Sequence, residues 1–315
     1  MHRVLSVIVV ALPAAAFAQS WPAKPIRAVV PFTAGSTVDI IGRIVAEPLA
    51  AQLGQPIVIE NRGGAGGTIG SQAVAQAEPD GHTLLIQASA HSAAPASYPK
   101  LGYNVAGDFS GIAIFGVVPN VTVISPKKNI KTLRELVDAA KKGSFTFASA
   151  GIGSATHWGA ERLRAAAGIE ATHIPFKGGP EALTEVMTGR VDFMSIGITS
   201  GLPLIRDGRL IALGVSTHKR SASLPNVPTT LELGYPDSDY IFWNGILAPS
   251  KTPRAIVDRL HAEVQKALAL PAVREKFSGQ GVEPMPLSPA EFDALIRKEI
   301  ASNIAIAKAA KLKFD

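Results

Sequence analysis

Cysteine is absent from this 315-residue chain, which excludes thiol nucleophiles, disulfide staples and Cys-ligated metals. Such a chain must fold on its core alone. Aromatic residues make up only 6 %, and the basic residues behind the formal net charge of +6 are scattered. No basic stripe interleaved with rings exists, so nucleic acid is not an expected partner. The densest basic run, "KNIKTLRELVDAAKK", mixes signs on a helical period and reads as a solvated helix face. Seven histidines show neither H-x-x-x-H nor H-E-x-x-H spacing, leaving no metal motif. A membrane-length apolar run is also missing: the stretch Val4 to Leu12 falls well short of the ~20 residues a bilayer span needs.

That short stretch has another reading. "MHRVLSVIVVALPAAAFA" has a basic start at Arg3, an apolar middle and a small-residue end, with Ala16-Phe17-Ala18 fitting an A-x-A cleavage site. Residues 1–18 are therefore expected to be a signal peptide, removed on export to a periplasm. With no cysteine beside the cleavage point, lipid attachment there is excluded.

Strand-like and helix-like segments alternate through the rest. "IRAVVPF", "VDIIGRIVAEPLAAQLG", "PIVIEN", "GGAGGTIGSQAVAQA" and "HTLLIQAS" set a βαβαβ rhythm, which predicts a parallel sheet with helices on both faces. Pro48 inside the first helix predicts a kink or an early end. A second block, from "FTFASA" to "LIALGVS", repeats the rhythm. Between the blocks "GIAIFGVVPNVTVISP" can cross from one lobe to another, and "YIFWNGILAPSKTP" can return. The expected organisation is a discontinuous first lobe, 19–119 with 245–315, and a second lobe, 120–244. Ligands of such sheets bind in crevices outside the carboxyl ends of the strands.

Three connections share one pattern: "VVPFTAGSTVDI", "ASAGIGSATHWGAERL" and "HIPFKGGPEALT". Each runs from a strand through a small-residue turn into a helix, with Thr37, Ser154 or Gly179 expected as the N-cap and Pro180 at the first helical position. Free backbone N–H groups and the positive dipole end at a helix start favour anions. Glycine turns also serve simply as connectors in α/β proteins, but three with hydroxyls at the helix starts suit a small anion. "GGAGGTIG" matches neither a P-loop nor a dinucleotide fingerprint and is expected to turn tightly into a helix packed close to the sheet. "GIGSA" is not the G-x-S-x-G nucleophile elbow. With Ser154 as N-cap and His157 at N3, the hydroxyl should bond backbone rather than imidazole, so no catalytic residue is expected.

Taken in order, "VPFTAGSTVDIIGRIVAEPLAAQLGQPIVIENRGGAGGTIG", "EPDGHTLL", "GIGSATHW", "IPFKGGPEAL", "GRVDFM" and "LAPSKTP" make the chain resemble the Bug-type extracytoplasmic solute receptors, the binding components of tripartite tricarboxylate transporters. The resemblance covers essentially the whole chain after residue 18. It implies a type II periplasmic binding protein fold, two α/β lobes with a ligand cleft between them, closing on a small carboxylate. The ligand residues it implies are Phe32, Thr33, Ala34, Gly35, Ser36 and Thr37; Ser89 and His91; Ala150, Gly151, Gly153, Ser154 and His157; Lys177, Gly178 and Gly179. Asp192 matches a family aspartate that either touches ligand or braces its strand. Ser36 stands where the family usually has glycine. The implied partners are the carboxylate and the membrane permease subunits of such a transporter, the receptor being a monomer with no cofactor and no metal. A periplasmic sensor subunit presenting the carboxylate to a signalling protein is the alternative.

Overall fold

The computed structural model describes residues 21–309 with Lys311, Leu312 and Phe314. The expected signal peptide lies outside them. Within the described residues no helix is long and apolar enough to cross a membrane.

Ile26, Ala28, Val29 and Val30 are all fully buried, and such a continuous apolar run places a strand inside a sheet covered on both faces. This strand, β1 (Ile26–Val30), pairs in parallel with β2 (Ile57–Asn61) and β3 (Thr83–Ala88). The first sheet is completed by β10 (Phe242–Pro249) and β4 (Phe109–Val118), in the order β2-β1-β3-β10-β4. Around it stand α1 (Thr37–Leu53), α2 (Thr68–Ala75), α3 (Ala90–Ser97), α8 (Arg254–Ala269), α9 (Pro271–Gly279) and α10 (Pro289–Ala309). The second sheet, in the order β7-β6-β8-β5-β9, contains β5 (Asn120–Ile124), β6 (Phe145–Ser149), β7 (Ala171–Pro175), β8 (Phe193–Gly197) and β9 (Ile211–Val215). Its helices are α4 (Leu133–Ala140), α5 (Ala155–Ala167), α6 (Gly179–Thr188) and α7 (Ile198–Arg206).

Two expectations need correction. Neither sheet is purely parallel: β10 runs antiparallel to β3 and β4, and β5 runs antiparallel to β8 and β9. The cause is connectivity. Only Pro119 separates β4 from β5, so β5 enters the second sheet from the side toward which β6 and β8 point. β10 enters the first sheet in the same way. Helix α1 also does not end early at Pro48; it continues to Leu53 and closes on Gly54 in the left-handed conformation. Pro48 and Ile44 are only partly buried, so water can serve the carbonyl that the proline leaves without a donor. Val45, Leu49 and Leu53 meanwhile keep the helix anchored in the core.

The loops after β1, β6 and β7 leave the carboxyl ends of parallel strands and open α1, α5 and α6. That arrangement brings the three glycine turns together.

Candidate functional site

At each of the three helix starts the cap leaves amides unspent. Ser36 caps α1, its Oγ accepting from the Asp39 N–H at 3.3 Å, and Ser154 caps α5 by accepting from the His157 N–H at 3.3 Å. The cap of α6 is Gly178, with Pro180 second in the helix. Two caps therefore sit one residue before their expected positions, Ser36 rather than Thr37 and Gly178 rather than Gly179. In both cases the earlier residue is the one with extended backbone.

The first amides of a helix have no partner inside it. Here those of Thr37 and Val38, of Ala155 and Thr156, and of Gly179 belong to residues lining one cavity. Its walls are completed by Phe32, Ala88, Ala150, Ile196 and Phe242, with the Ser36 and Ser154 side chains, and no ionisable residue lines it. Thr37 makes a second polar contact across the cleft, its Oγ1 lying 2.9 Å from Ser200 Oγ.

Counting hydroxyl protons shows what the cavity offers. Ser154 Oγ accepts from His157 N–H, and Thr156 Oγ1 accepts from Ala150 N–H at 2.8 Å. The two hydroxyls share one hydrogen bond of 2.9 Å. That bond uses one of their two protons, and the other remains to be donated. With the free amides, the cavity is rich in neutral donors. Such a site suits a ligand made of acceptors, a carboxylate above all.

Different devices hold the two main turns. After β1, the Gly35 N–H donates to Asp39 Oδ2 at 2.9 Å, Asn61 Nδ2 donates to Asp39 Oδ1 at 2.8 Å and to the Phe32 carbonyl at 3.0 Å, and Arg43 pairs with the same carboxylate at 3.0 Å. Burial alone would raise the Asp39 carboxyl; the hydrogen bonds from Arg43, Gly35 and Asn61 hold it below its ordinary value. After β6, the brace is neutral. The Gly153 N–H donates to His157 Nδ1 at 3.0 Å, which puts the imidazole proton on Nε2. His157 is 0 % exposed and stacks on His173 with ring centroids 3.9 Å apart. His173 Nε2 lies 2.6 Å from Ser149 Oγ, which itself bonds both the N–H and the carbonyl of Gly151. Burial, with help from neighbouring positive charge, pushes His157 down to about 2, and burial pushes His173 down to about 4. Both rings are neutral.

The residues named from sequence thus divide. Phe32, Ser36, Thr37, Ala150, Ser154 and Gly179 line the cavity. Thr33 and Gly178 instead pack against each other across the cleft, where a Cβ on Gly178 would stand 1.8 Å from Thr33 Oγ1. Ala34 and Lys177 are exposed beside it. Gly35, Gly151, Gly153 and His157 shape the turns rather than the cavity wall. Ser89 faces a different cavity. His91 is buried edge-on to Phe109 at 4.8 Å, where burial pushes its pKa down to about 4. Asp192 accepts from Lys128 Nζ at 2.6 Å and from the Thr146 N–H at 2.8 Å, so it braces β6. Val38, Ala88, Ala155, Thr156, Ile196 and Phe242 were not named from sequence. Thr156 had a readable signal, a hydroxyl in the first turn of a helix; the others are apolar and carried none.

The lobes meet closely around this cavity, which measures only 30 Å³, room for a couple of water molecules. Tyr98 Oη donates to the Ile152 carbonyl at 2.7 Å, and Trp158 Nε1 donates to Ser97 Oγ at 3.0 Å. A Cβ on Gly66 would lie 1.9 Å from the Ile152 carbonyl oxygen. The glycine-rich turn before α2 therefore does more than seat its helix on the sheet: it receives the opposite lobe. A larger groove of 610 Å³, walled by Phe277, Val282 and Met285, lies elsewhere, and none of the three helix starts contributes to it.

The chain has known relatives over nearly its whole length. BugT of Bordetella pertussis is 35 % identical over 309 residues, covering 95 % of each chain. The solved structure of the periplasmic binding protein BugD has a TM-score of 0.89 at 33 % identity, over 93 % of this chain and 99 % of that one. Rpa4515 of R. palustris, solved with adipate, gives 0.89 at 30 % identity over 93 % and 99 % of the two chains. MatC from Rhodopseudomonas palustris, with bound malate, gives 0.86 at 33 % over 91 % and 99 %. These likenesses extend across both lobes and carry the two-lobed periplasmic binding protein fold. A family model described as "Tripartite tricarboxylate transporter family receptor" matches residues 41–312, and the chain belongs to that family.

Proposed function

We propose that this protein is a periplasmic solute-binding receptor that captures a small organic carboxylate between its lobes and delivers it to the permease subunits of a tripartite tricarboxylate-type transporter. The observation that carries the reading is the convergence of five unspent amides, from three helix starts, on one cavity without an ionised side chain. Malate and adipate in the two related structures favour the same chemistry. Export follows from residues 1–18 acting as a signal peptide. The protein works as a monomer and without a cofactor. It is not an enzyme: Ser154 Oγ accepts from backbone, and Nδ1 of His157 is spent on Gly153, so the serine has no base.

The lobes of this reading are 19–119 with 245–315, and 120–244. The second boundary is better drawn before Phe242, because β10 pairs with β3 and β4 throughout its length. A cavity this tight must open to admit ligand, by rotation about Pro119 and the connection between β9 and β10, and hinge closure around ligand is a common response.

Calorimetry against malate, adipate, citrate, aspartate and benzoate, with neutral sugars as controls, tests the site. At least one acid should bind stoichiometrically at micromolar Kd or tighter, about −8 kcal/mol. Ser154→Asp keeps an N-cap acceptor while placing a carboxylate in the cavity, and it should abolish that binding. Sugar binding without acid binding, or full affinity in Ser154→Asp, would remove the anion argument.

A further inference from the structure

A second cavity, of 220 Å³, lies on the hinge side of the molecule, between α3, α10, the Asp239–Ile241 segment leading into β10, and Arg162 of α5. Unlike the cleft it is lined by charges of both signs, Arg162 and Lys298 against Asp239 and Glu299. Two buried hydroxyls in its wall, Ser89 Oγ and Tyr240 Oη, are 2 % and 4 % exposed and have no partner beyond each other among the described residues. The bond they can share uses one of their two protons, so one buried hydroxyl donor remains for an occupant of the cavity.

The charged groups are only partly spent. Glu299 uses Oε2 on Ser92 Oγ at 2.5 Å and on Trp243 Nε1 at 2.8 Å, leaving Oε1 for the cavity. Arg162 donates through Nε to the Asp237 carbonyl at 3.2 Å, and its guanidinium lies 6.0 Å from the centre of the Tyr240 ring. Its two terminal nitrogens are left. Burial holds the Glu299 carboxyl above its ordinary value, although Ser92, Trp243 and the charge of Arg162 oppose the rise. Arg162 thus acts on Glu299 through space and not by contact. Aspartate 239 stands 3.6 Å from His218 Nε2 at the rim, and Lys298 is exposed.

We propose that this hinge-side cavity is a second ligand site, which takes a small zwitterion of the α-amino acid class. The carboxylate of the ligand bridges to the free fork of Arg162, as planar guanidinium prefers. The ammonium donates to Glu299 Oε1, and the Ser89 and Tyr240 hydroxyls complete the shell. A simple anion would satisfy only Arg162, and a simple cation only Glu299; a ligand carrying both charges on one carbon satisfies both. Arg162 belongs to a helix of the second sheet and Glu299 to a helix of the first, so an occupant ties the lobes together beside the hinge.

Calorimetry with each of the twenty proteinogenic amino acids, and with propionate and ethylamine as half-ligands, tests this. At least one amino acid should bind to wild type and to Ser154→Asp alike, which separates this site from the cleft. Its affinity should fall at least tenfold in Arg162→Gln and in Glu299→Gln, and neither half-ligand should bind. Circular dichroism checks that each variant is folded; should Glu299→Gln unfold, the half-buried variant Arg162→Gln decides alone. Amino acid binding that is lost in Ser154→Asp and indifferent to Arg162→Gln belongs to the cleft and overturns the proposal. So does the failure of all twenty to bind at millimolar concentration, or propionate binding as well as any of them.

Discussion

The turn after β1 and the turn after β6 have the same job and nearly the same backbone, yet they are held by opposite chemistry. In the first lobe a buried carboxylate, Asp39, collects Arg43, Asn61 and the Gly35 amide. In the second lobe two stacked neutral imidazoles and a serine hold Gly151 and Gly153. An ionic brace tolerates partial exposure, since Arg43 reaches out to solvent with half its side chain exposed. A neutral brace can be sealed completely, because no charge has to be taken out of water. The consequence is that the two halves of one binding cleft should fail under different conditions.

Acid separates them most strongly. His157 and His173 are held at about 2 and about 4 by burial, against an ordinary 6.5. Below pH 6.5 the unfolded chain binds protons that the folded rings refuse. Stability is therefore complete above that pH and drains as pH falls toward 4, by up to about 1.4 kcal/mol per unit for each ring. Asp39 behaves otherwise: its carboxyl lies below its ordinary 3.8, so its contribution persists until pH falls through that lower value. Thermal melts from pH 7 to 4 should show Tm dropping well before carboxylates titrate. A flat Tm over that range would contradict the neutral brace.

Next in size is the place where the turn after β1 meets the third turn, the one after β7. Gly178 has φ −169, extended backbone that any residue adopts, so Gly178→Ala carries no backbone penalty. Its new methyl, however, lands on Thr33 Oγ1. Ligand affinity should fall roughly 100-fold, about 2.7 kcal/mol, with Tm unchanged, and solution scattering should show lobes that stay apart with ligand. Wild-type affinity in this variant would mean that the lobes need not meet there.

His157→Phe keeps the ring stack but strands the Gly153 amide. We expect a loss of about 1–3 kcal/mol in stability, the usual cost of an unpaired buried donor, read from urea denaturation. Affinity should weaken through a loosened turn, since His157 itself does not line the cavity. The smallest effect belongs to Arg43→Gln. Arg43 is half exposed, and the buried Asp39 keeps its bonds from Asn61 and the Gly35 amide, so the loss should stay near about 1 kcal/mol and shrink further in 1 M salt. A loss that grows with salt would exclude the ionic account.

Much of this cleft was legible in the chain. Strand, glycine, hydroxyl and helix start are local features with local causes, so the three turns and the Ser154 cap could be read directly. What escaped reading depended on distant partners. His157 reads as a ligand donor until its ring is seen stacked on His173, outside the cavity wall, with Nδ1 accepting from the Gly153 amide. Ser89 and Ala88 are neighbours in sequence, yet one faces the hinge-side cavity and the other the cleft. The antiparallel crossing strands escaped for the same reason, because a βα rhythm says nothing about the side from which a strand enters a sheet. Gly66 looked like a tight turn, and its close approach to Ile152 appears only when the lobes are together.

In the proposed closure, Pro119 restricts one of the two crossings about which the lobes would turn. It is the lone residue between β4 and β5, and its ring holds φ near −65°. A joint with one of its two torsions locked swings like a door on a single pin, whereas a glycine there would wobble like a ball in a socket. In that proposed closure the restricted joint narrows the directions from which the Phe32 and Gly178 edges can approach each other. Pro119→Gly would turn the door into the socket, slowing productive closure while leaving every contact in the closed cleft available.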